Sequence, residues 1–289
     1  MQSNNFAFQR AEGFNGRSAG GTSYSQPSSW GVGAPGQSQG GYGSPQGYDA
    51  YAPQQPSSDV MTIDSVVQKS VITIGTVILA AIATWFFTGN LNDPVNGQSN
   101  VNTTITLMTV SSLLTLGLVL FIAFKRTISP ALVMVFAVAE GVSIGALSKY
   151  FGAMFGNEIV TGAVIGTFAA ASGTLAAYKF FNIQVSDKMR KFGVAVAFGM
   201  IGLILLNLVL GIFGVSMGIG GFGPLGFIFS VVGLGLGVFF LLLDFDFVEQ
   251  GIAARLPEQE SWRAAFGITL SLVLIYTNLL RILAILNQD

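Results

Sequence analysis

Three acidic residues that stand within or directly after long apolar stretches are the residues of this sequence best placed to do chemistry. Glu140 interrupts the apolar stretch that follows Pro130, and Asp244 and Asp246 follow the uncharged residues 192–243. A charged carboxylate near the middle of a membrane costs at least about 2.5 kcal/mol, so such acids face a bundle interior or a water-filled cavity. Carboxylate and hydroxyl oxygens suit a hard cation such as Ca²⁺, and they suit protons equally well. The sequence therefore predicts an ion-handling site carried by membrane-spanning helices.

The chain lacks two residue types, and their absence excludes several kinds of site. It contains no Cys and no His, which excludes thiol chemistry, disulfides, His-based metal sites and histidine proton switches. The sequence shows no nucleophile–base pair and no metal cluster, so we expect neither an enzyme nor a bound cofactor. The net charge of −1 gives no reason to expect a nucleic-acid partner.

Composition and hydropathy predict the elements that must position the acids. Hydrophobic residues make up 51% of the chain and charged residues only 9%, whereas soluble domains carry roughly 25% charge. A helix needs about 20 apolar residues to cross a hydrocarbon core of ~30 Å. Seven stretches meet this requirement, at about residues 66–88, 104–124, 130–149, 159–179, 192–213, 224–247 and 263–286. The predicted fold class is an all-α membrane protein, a seven-transmembrane helix bundle in a lipid bilayer.

The placement of Lys and Arg predicts the orientation of these spans. If the N-terminus is cytoplasmic, eleven of the thirteen basic residues lie on the inner side, and only Lys149 and Arg281 lie toward the outside. Cytoplasmic loops carry such an excess of basic residues. We therefore predict an N-in, C-out protein of the plasma membrane.

Residues 1–60 differ in kind from the rest of the chain. They are rich in Gly, Ser, Gln and Tyr and have no helical or strand period. Such a segment cannot bury enough apolar area to offset the entropy of ordering. We predict a disordered cytoplasmic tail at 1–60 and a transmembrane domain at 61–289. The tail is either an interaction segment or a dispensable solvated leader, and the second interpretation is favoured.

Glycines at short spacings in two spans predict close contacts between helices. Span four contains Gly162, Gly166 and Gly173, and span six contains Gly233, Gly235 and Gly237. Small residues of this kind let helix backbones approach each other in a membrane bundle.

The two acids at the end of span six cannot point into one cavity. Residues two positions apart on a helix point about 200° away from each other. Asp244 directly follows the apolar run, so we predict that it points into the bundle. Asp246 leads into the polar residues Glu249 and Gln250, which favours a solvated helix end, and it remains a flanking candidate for the ion pathway.

Three motifs in chain order carry a resemblance to a known family. They are Ser129-Pro130-Ala131-Leu132 opening span three, Leu243-Asp244-Phe245 with Gln250 closing span six, and Asn278-Leu279-Leu280-Arg281-Ile282-Leu283 in span seven. With seven spans over residues 60–289, the chain resembles the bacterial, YccA-like branch of the Bax inhibitor-1 membrane proteins. The Gly/Tyr/Gln-rich leader, together with Asp244-Phe245-Asp246-Phe247-Val248-Glu249-Gln250, looks like the actinobacterial subgroup.

The resemblance implies a bundle with a central helix ringed by the others, and a pH-gated calcium leak. In that family an acid in span six pairs with an acid in span seven, and a basic residue at the inner end of span two latches onto them. Asp244 matches the first acid, and Lys125 and Arg126 stand at the latch. The second acid position falls on Ser271, a departure that removes the proton-sharing carboxylate pair. Glu140 is then this chain's own candidate for a second buried acid, and Asp244 and Glu140 are the candidate Ca²⁺ ligands.

The predicted function is a cation leak gated by protonation of buried carboxylates, with Ca²⁺ or protons as the ion. Glu140, which is deep and has no evident cation nearby, is the predicted pH sensor, and Asp244 is predicted to attract the ion. The alternative is a regulatory scaffold that modulates other membrane proteins or a quality-control protease, with acids that are only structural. Ion flux in liposomes separates the two functions.

Overall fold

Seven α-helices make up the described part of the chain. The computed structural model describes residues 60–288 except 126, 182, 184 and 216, and it leaves out the side chains of residues 208 and 212. The helices are α1 (Ile63–Phe87), α2 (Gly97–Phe124), α3 (Pro130–Phe155), α4 (Asn157–Phe180), α5 (Asp187–Ile212), α6 (Pro224–Ala253) and α7 (Glu260–Leu286). The tail predicted at 1–60 lies outside the described residues apart from Val60.

All seven helices are long and apolar enough to cross a membrane, which confirms the predicted fold class. Each predicted span overlaps one helix, but α2 begins at Gly97 rather than 104 and α6 ends at Ala253 rather than 247. The added turns contain polar residues such as Asn100 and Glu249. Hydropathy detects only the part of a helix that lies in hydrocarbon, whereas the helix itself continues into the interfacial region.

Side-chain caps determine where three of the helices begin. Thr62 and Ser65 form a capping box at the start of α1. Ser129 caps α3, with Pro130 at the first helical position, and Ser186 caps α5. Such caps satisfy backbone N–H groups that have no partner within the helix, and each contributes typically about 1 kcal/mol.

Helices α3 and α7 form the interior of the bundle. α7 packs against α1, α3, α4 and α6, and α3 packs against α1, α2, α4 and α7. Within the described residues, α2 packs on α3 alone and α5 packs on α6 alone. The central helix implied by the family resemblance is therefore α7, but it is ringed by four helices rather than six, because α2 and α5 lie at the periphery.

The relative register of the two interior helices is fixed by two contacts. Phe136 of α3 packs edge-on against Phe266 of α7, with ring centroids 4.7 Å apart. Farther along the same helices, the Ser148 and Tyr276 hydroxyls form a hydrogen bond of 2.6 Å. Residue numbers rise from the first pair to the second on both helices, so α3 and α7 run parallel.

The start of α1 is joined to the start of α7. Lys69 Nζ forms a salt bridge of 2.6 Å with Glu258 Oε1 and lies 5.6 Å from the ring centroid of Trp262. The backbone N–H of Met61 donates to the carbonyl oxygen of Leu256. We call this end of the bundle, where α1, α3, α5 and α7 begin, the basic end, because most Lys and Arg residues lie near it in the sequence. That the basic end faces the cytoplasm remains a prediction.

Glycines bring α6 close to α7, as the sequence predicted. A Cβ at Gly233 would lie 2.4 Å from Asn278 Oδ1, and a Cβ at Gly237 would lie 2.8 Å from Ile275 Cγ1. Both glycines therefore face α7 and are one turn apart. Gly235 lies on another face of α6, where a Cβ would meet open space.

The glycines of α4 also face α7, and their contacts are looser. A Cβ at Gly162 or Gly166 would lie 3.2 Å from a Leu283 or Leu279 methyl group, respectively. A Cβ at Gly173 would meet nothing within 4 Å. α7 is therefore approached by glycines from α4 and α6, which lets three helices pack tightly around it.

Candidate ion site

Asp244 points into the contact between α6 and α7. Ser271 Oγ on α7 donates a hydrogen bond of 2.5 Å to Asp244 Oδ2. The carboxylate lies about 14 Å from the end of α6 at Ala253, at 1.5 Å per residue. This is deeper than the sequence predicted, because α6 continues past residue 247. No Lys or Arg among the described residues forms a salt bridge with Asp244.

A glycine makes room for this carboxylate. A Cβ at Gly267 would lie 2.5 Å from Asp244 Oδ1 and 3.2 Å from its Cγ. Gly267 and Ser271 are four residues apart, so they lie on one face of α7, one turn from each other. α7 thus has a notch at Gly267, where no side chain projects, and the Ser271 hydroxyl lies beside this notch. Gly267 was not among the predicted site residues, although its spacing of four from Ser271 places it on the same face of α7.

Asp246 lies on another side of α6 and has a different environment. Arg190 of α5 forms a salt bridge of 3.0 Å with Asp246 Oδ2, and Gln250 Nε2 donates to the same oxygen at 2.8 Å. Asp246 is only 6% exposed, so the prediction of a solvated helix end is wrong. The sequence could not show that α5 packs over this face. One turn away, Tyr178 of α4 donates a hydrogen bond to Glu249 Oε2.

Glu140 is buried on α3, as its position in an apolar stretch predicted. It is 8% exposed, and the side chain that interacts with its carboxyl is Thr115 of α2. The Thr115 hydroxyl is buried and forms no hydrogen bond within the described residues. Glu140 forms no salt bridge within the part of the chain that the structure describes.

The register of α3 and α7 places the two interior acids at the same depth. Glu140 comes one turn after Phe136, and Phe136 lies level with Phe266. Glu140 is therefore level with the turn that follows Phe266, which is the turn that contacts Asp244. That turn lies about 16 Å from the start of α7, close to half of a ~30 Å hydrocarbon core. The acids share a depth but not a contact, since no hydrogen bond described for residues 60–288 joins them.

The structure describes only one of the two residues that were predicted to form the latch. Lys125 ends α2 in an extended conformation, and its Nζ lies 5.6 Å from the ring centroid of Phe121. No salt bridge between Lys125 and a described carboxylate is present. Arg126 lies outside the described residues. The role of both residues as a latch stays a prediction.

The site carries single carboxylates rather than an acidic cluster. Within the described residues there is no group of three or more Asp, Glu, His or Cys side chains that could hold a metal ion together. Asp244 with Ser271 can bind a proton or offer a few oxygen atoms to a passing cation. Glu140 can gain or lose a proton at the same depth without being a ligand at the Asp244 site.

The comparisons with known proteins agree with this architecture and with the three motifs. The sequence pattern of the family described as Bax inhibitor 1 like matches residues 5–288. No curated protein matches the chain. Because the matched region contains all seven membrane-length helices and nearly the whole sequence, the chain belongs to the Bax inhibitor 1 like family of multi-pass membrane proteins.

Proposed function

We propose that this protein is a pH-sensitive cation leak, with Ca²⁺ as the cation and buried carboxylates as the gate. The observation that carries the proposal is the Asp244 carboxylate, which lies at mid-depth against Gly267 and Ser271 and has no cationic partner among the described residues. A carboxylate in such a place is costly to keep charged unless a positive charge joins it. A cation that enters the bundle, or a proton, supplies that charge.

Asp244 and Ser271 offer the kind of ligand that Ca²⁺ prefers. Ca²⁺ takes about six to eight oxygen ligands from carboxylates, carbonyls, hydroxyls and waters. The two side chains supply only a few of them, so water must complete the shell. A partly hydrated ion held by one carboxylate suits passage better than tight storage.

Glu140 is the proposed pH sensor. It is buried, it forms no salt bridge with a described Lys or Arg, and it lies level with Asp244. Gain or loss of its proton changes the charge at mid-depth while the Asp244–Ser271 site stays intact. The two acids therefore have different roles: Glu140 sets the pH response, and Asp244 attracts the ion.

Calcium flux into liposomes, measured against pH with the purified full chain, tests this division. Glu140→Gln removes a titratable group and keeps its size, so the pH dependence is expected to flatten. Asp244→Asn is expected to reduce flux at every pH by about tenfold or more, because a charged partner contributes roughly 1.5–3 kcal/mol. Glu158→Gln, the same substitution at an exposed acid at the start of α4, is the matched control and should leave both properties unchanged.

Two outcomes would count against the proposal. If Glu140→Gln leaves the pH profile untouched while Asp244→Asn abolishes it, the roles are reversed and Asp244 alone is the sensor. If the wild-type protein carries no flux at any pH, the leak itself is rejected and the scaffold function takes its place.

The scaffold function has one observation in its favour. Helix α5 packs on α6 alone within the described residues, and it leaves large side chains such as Phe192 (71%) and Phe198 (70%) exposed. Lipid covers such a face by default, but a helix of another membrane protein fits it equally well. In that function the α5 face binds a partner protein, and the interior acids only stabilise the bundle.

We further propose the location and orientation that the sequence predicted. The protein lies in the plasma membrane, the basic end faces the cytoplasm, and the tail at 1–60 precedes the transmembrane domain at 61–289 on that side. The support comes from the sequence: with a cytoplasmic N-terminus, eleven of the thirteen basic residues fall in segments predicted to lie inside, as cytoplasmic segments require.

A further inference from the structure

An apolar groove runs along the outside of the bundle between α1 and α4, with α3 and α7 as its floor. Its volume is about 370 Å³, and its walls include Ile78, Ile82, Val164, Phe168 and Val273. Along α1 it extends from Ile74 to Phe86, about 18 Å at 1.5 Å per residue. A hydrocarbon core is ~30 Å thick, so the groove has the length of one leaflet rather than of a whole bilayer.

A polar pocket of about 400 Å³ adjoins one end of the groove. This pocket lies opposite the basic end, where α1 ends and α4 begins, and it shares Trp85 and Phe86 with the groove. Lys149 and the amide side chains of Asn90, Asn92 and Asn157 line it. An apolar channel with a polar mouth at a membrane surface is the shape of a site for an amphipathic molecule.

Lys149 gives the pocket a positive charge that no described carboxylate neutralises. Its Nζ donates to the Trp85 carbonyl oxygen at 2.7 Å and lies 5.1 Å from the Trp85 ring centroid, which leaves two N–H groups of the ammonium available. None of the described carboxylates forms a salt bridge with it. The acid of the adjoining loop, Asp93, accepts from the backbone N–H groups of Asn96 and Val95, which hold the pKa of that carboxyl below its ordinary value.

We propose that the groove and pocket together bind one anionic phospholipid, with an acyl chain in the groove and the phosphate at Lys149. The length of the groove matches one leaflet, and the polar pocket lies at the level of the headgroups. Trp85 lies between the two parts, as aromatic side chains do at a membrane interface. The unpaired ammonium selects a headgroup with net negative charge. This proposal is independent of the ion leak.

Native mass spectrometry of the purified full chain with added lipid tests the site. We expect phosphatidylglycerol to be retained about tenfold more than phosphatidylcholine of the same chain length, because both lipids carry the phosphate but the choline ammonium of the second repels Lys149. Lys149→Gln is expected to remove this preference and to leave weak binding of both lipids. Lys179→Gln, which removes one exposed charge near the other end of α4, is the matched control and should keep the preference.

A second pair of variants tests the groove itself. Val164→Trp fills the groove and is expected to lower retention of both lipids about tenfold, whereas Ile165→Trp places the same ring on a face outside the groove and should have no effect. Thermal unfolding of each variant checks that it is folded, and these two positions are already exposed, so the added ring does not enter the core.

Three results would overturn the proposal. The first is equal retention of the two lipids by the wild-type protein, and the second is an unchanged preference in Lys149→Gln. The third is displacement of phosphatidylglycerol by millimolar inorganic phosphate, which would make the pocket a site for the free anion rather than for a lipid. Failure of phosphate to compete, together with loss of binding in Val164→Trp, supports the lipid.

Discussion

Asp244 and Asp246 stand two positions apart on one helix and have opposite electrostatic surroundings. Asp246 has a guanidinium partner in Arg190 and an amide partner in Gln250, which together satisfy a buried charge. Asp244 instead accepts a hydrogen bond from the Ser271 hydroxyl and lies against Gly267. Of the two carboxylates, Asp244 is the one without a cationic partner among the described residues, and this difference separates a structural acid from a candidate ion ligand.

Gly267 is the residue on which the geometry of Asp244 depends most directly. We predict that Gly267→Ala lowers the stability by about 1–3 kcal/mol, because the new Cβ overlaps the carboxylate and forces it away from Ser271. Thermal unfolding in detergent measures the change. Gly235→Ala adds the same methyl group to an open face of α6 and should be neutral or slightly stabilising, since Ala favours helix by about 0.5–1 kcal/mol. Equal effects of the two substitutions would show that the packing of Asp244 against Gly267 does not contribute to stability.

Part of this site could be predicted from residue types and spacing. The burial of Glu140 follows from an acid in the middle of an apolar span, and the family resemblance aligned Asp244 with Ser271. The Arg190–Asp246 pair could not be predicted, because it depends on how α5 packs against α6. A one-dimensional pattern shows where a charge is, and its partner on a distant helix is decided by tertiary packing.

At the scale of elements, the helices differ in how firmly they are held. α7 has close contacts on several sides, whereas within the described residues α5 is attached to α6 alone. The Arg190–Asp246 salt bridge is part of that single attachment. Hydropathy predicted all seven helices, but it could not show which of them pack against many neighbours, because every span has similar apolar content. In the sequence, only the glycine positions indicated which helix faces are in contact.

The proposed latch belongs to this scale, since it would tie the end of α2 to Asp244 of α6. We predict that Lys125→Ala combined with Arg126→Ala raises the basal Ca²⁺ leak at neutral pH by up to about fivefold, because an ion pair near a protein surface is worth about 1 kcal/mol or less. Flux in liposomes measures it. Lys188→Ala with Lys191→Ala removes the same charge from exposed positions at the start of α5 and should not change the leak. An unchanged leak in the first variant would assign Lys125 and Arg126 to membrane orientation only.

At the scale of the whole molecule, an odd number of spans separates the two ends of the chain. If all seven membrane-length helices cross the membrane, residue 60 and the end of α7 lie on opposite sides of it. The number of spans was predictable from the sequence because it depends only on the length of apolar stretches. The identity of the central helix was not, since it depends on which faces pack together.

The orientation is tested with a reporter that is active only outside the cytoplasm. We predict activity when the reporter follows Asp289 and none when it precedes Met1, because eleven of the thirteen basic residues favour the cytoplasmic side. Activity of the N-terminal fusion with silence of the C-terminal one would invert the orientation, and equal activity of both would contradict the seven-span count.

The position of α7 at the core also has a consequence for biosynthesis. A ribosome makes this helix after α1, α3, α4 and α6, so those four helices enter the membrane before the element that joins them exists. Until Glu260–Leu286 arrives, the glycine faces of α4 and α6 have no partner and Asp244 faces lipid or water without its serine. Nascent chains that stop short of α7 would thus expose the Asp244 carboxylate within the bilayer without its partner. This exposed acid would distinguish incomplete chains from complete ones.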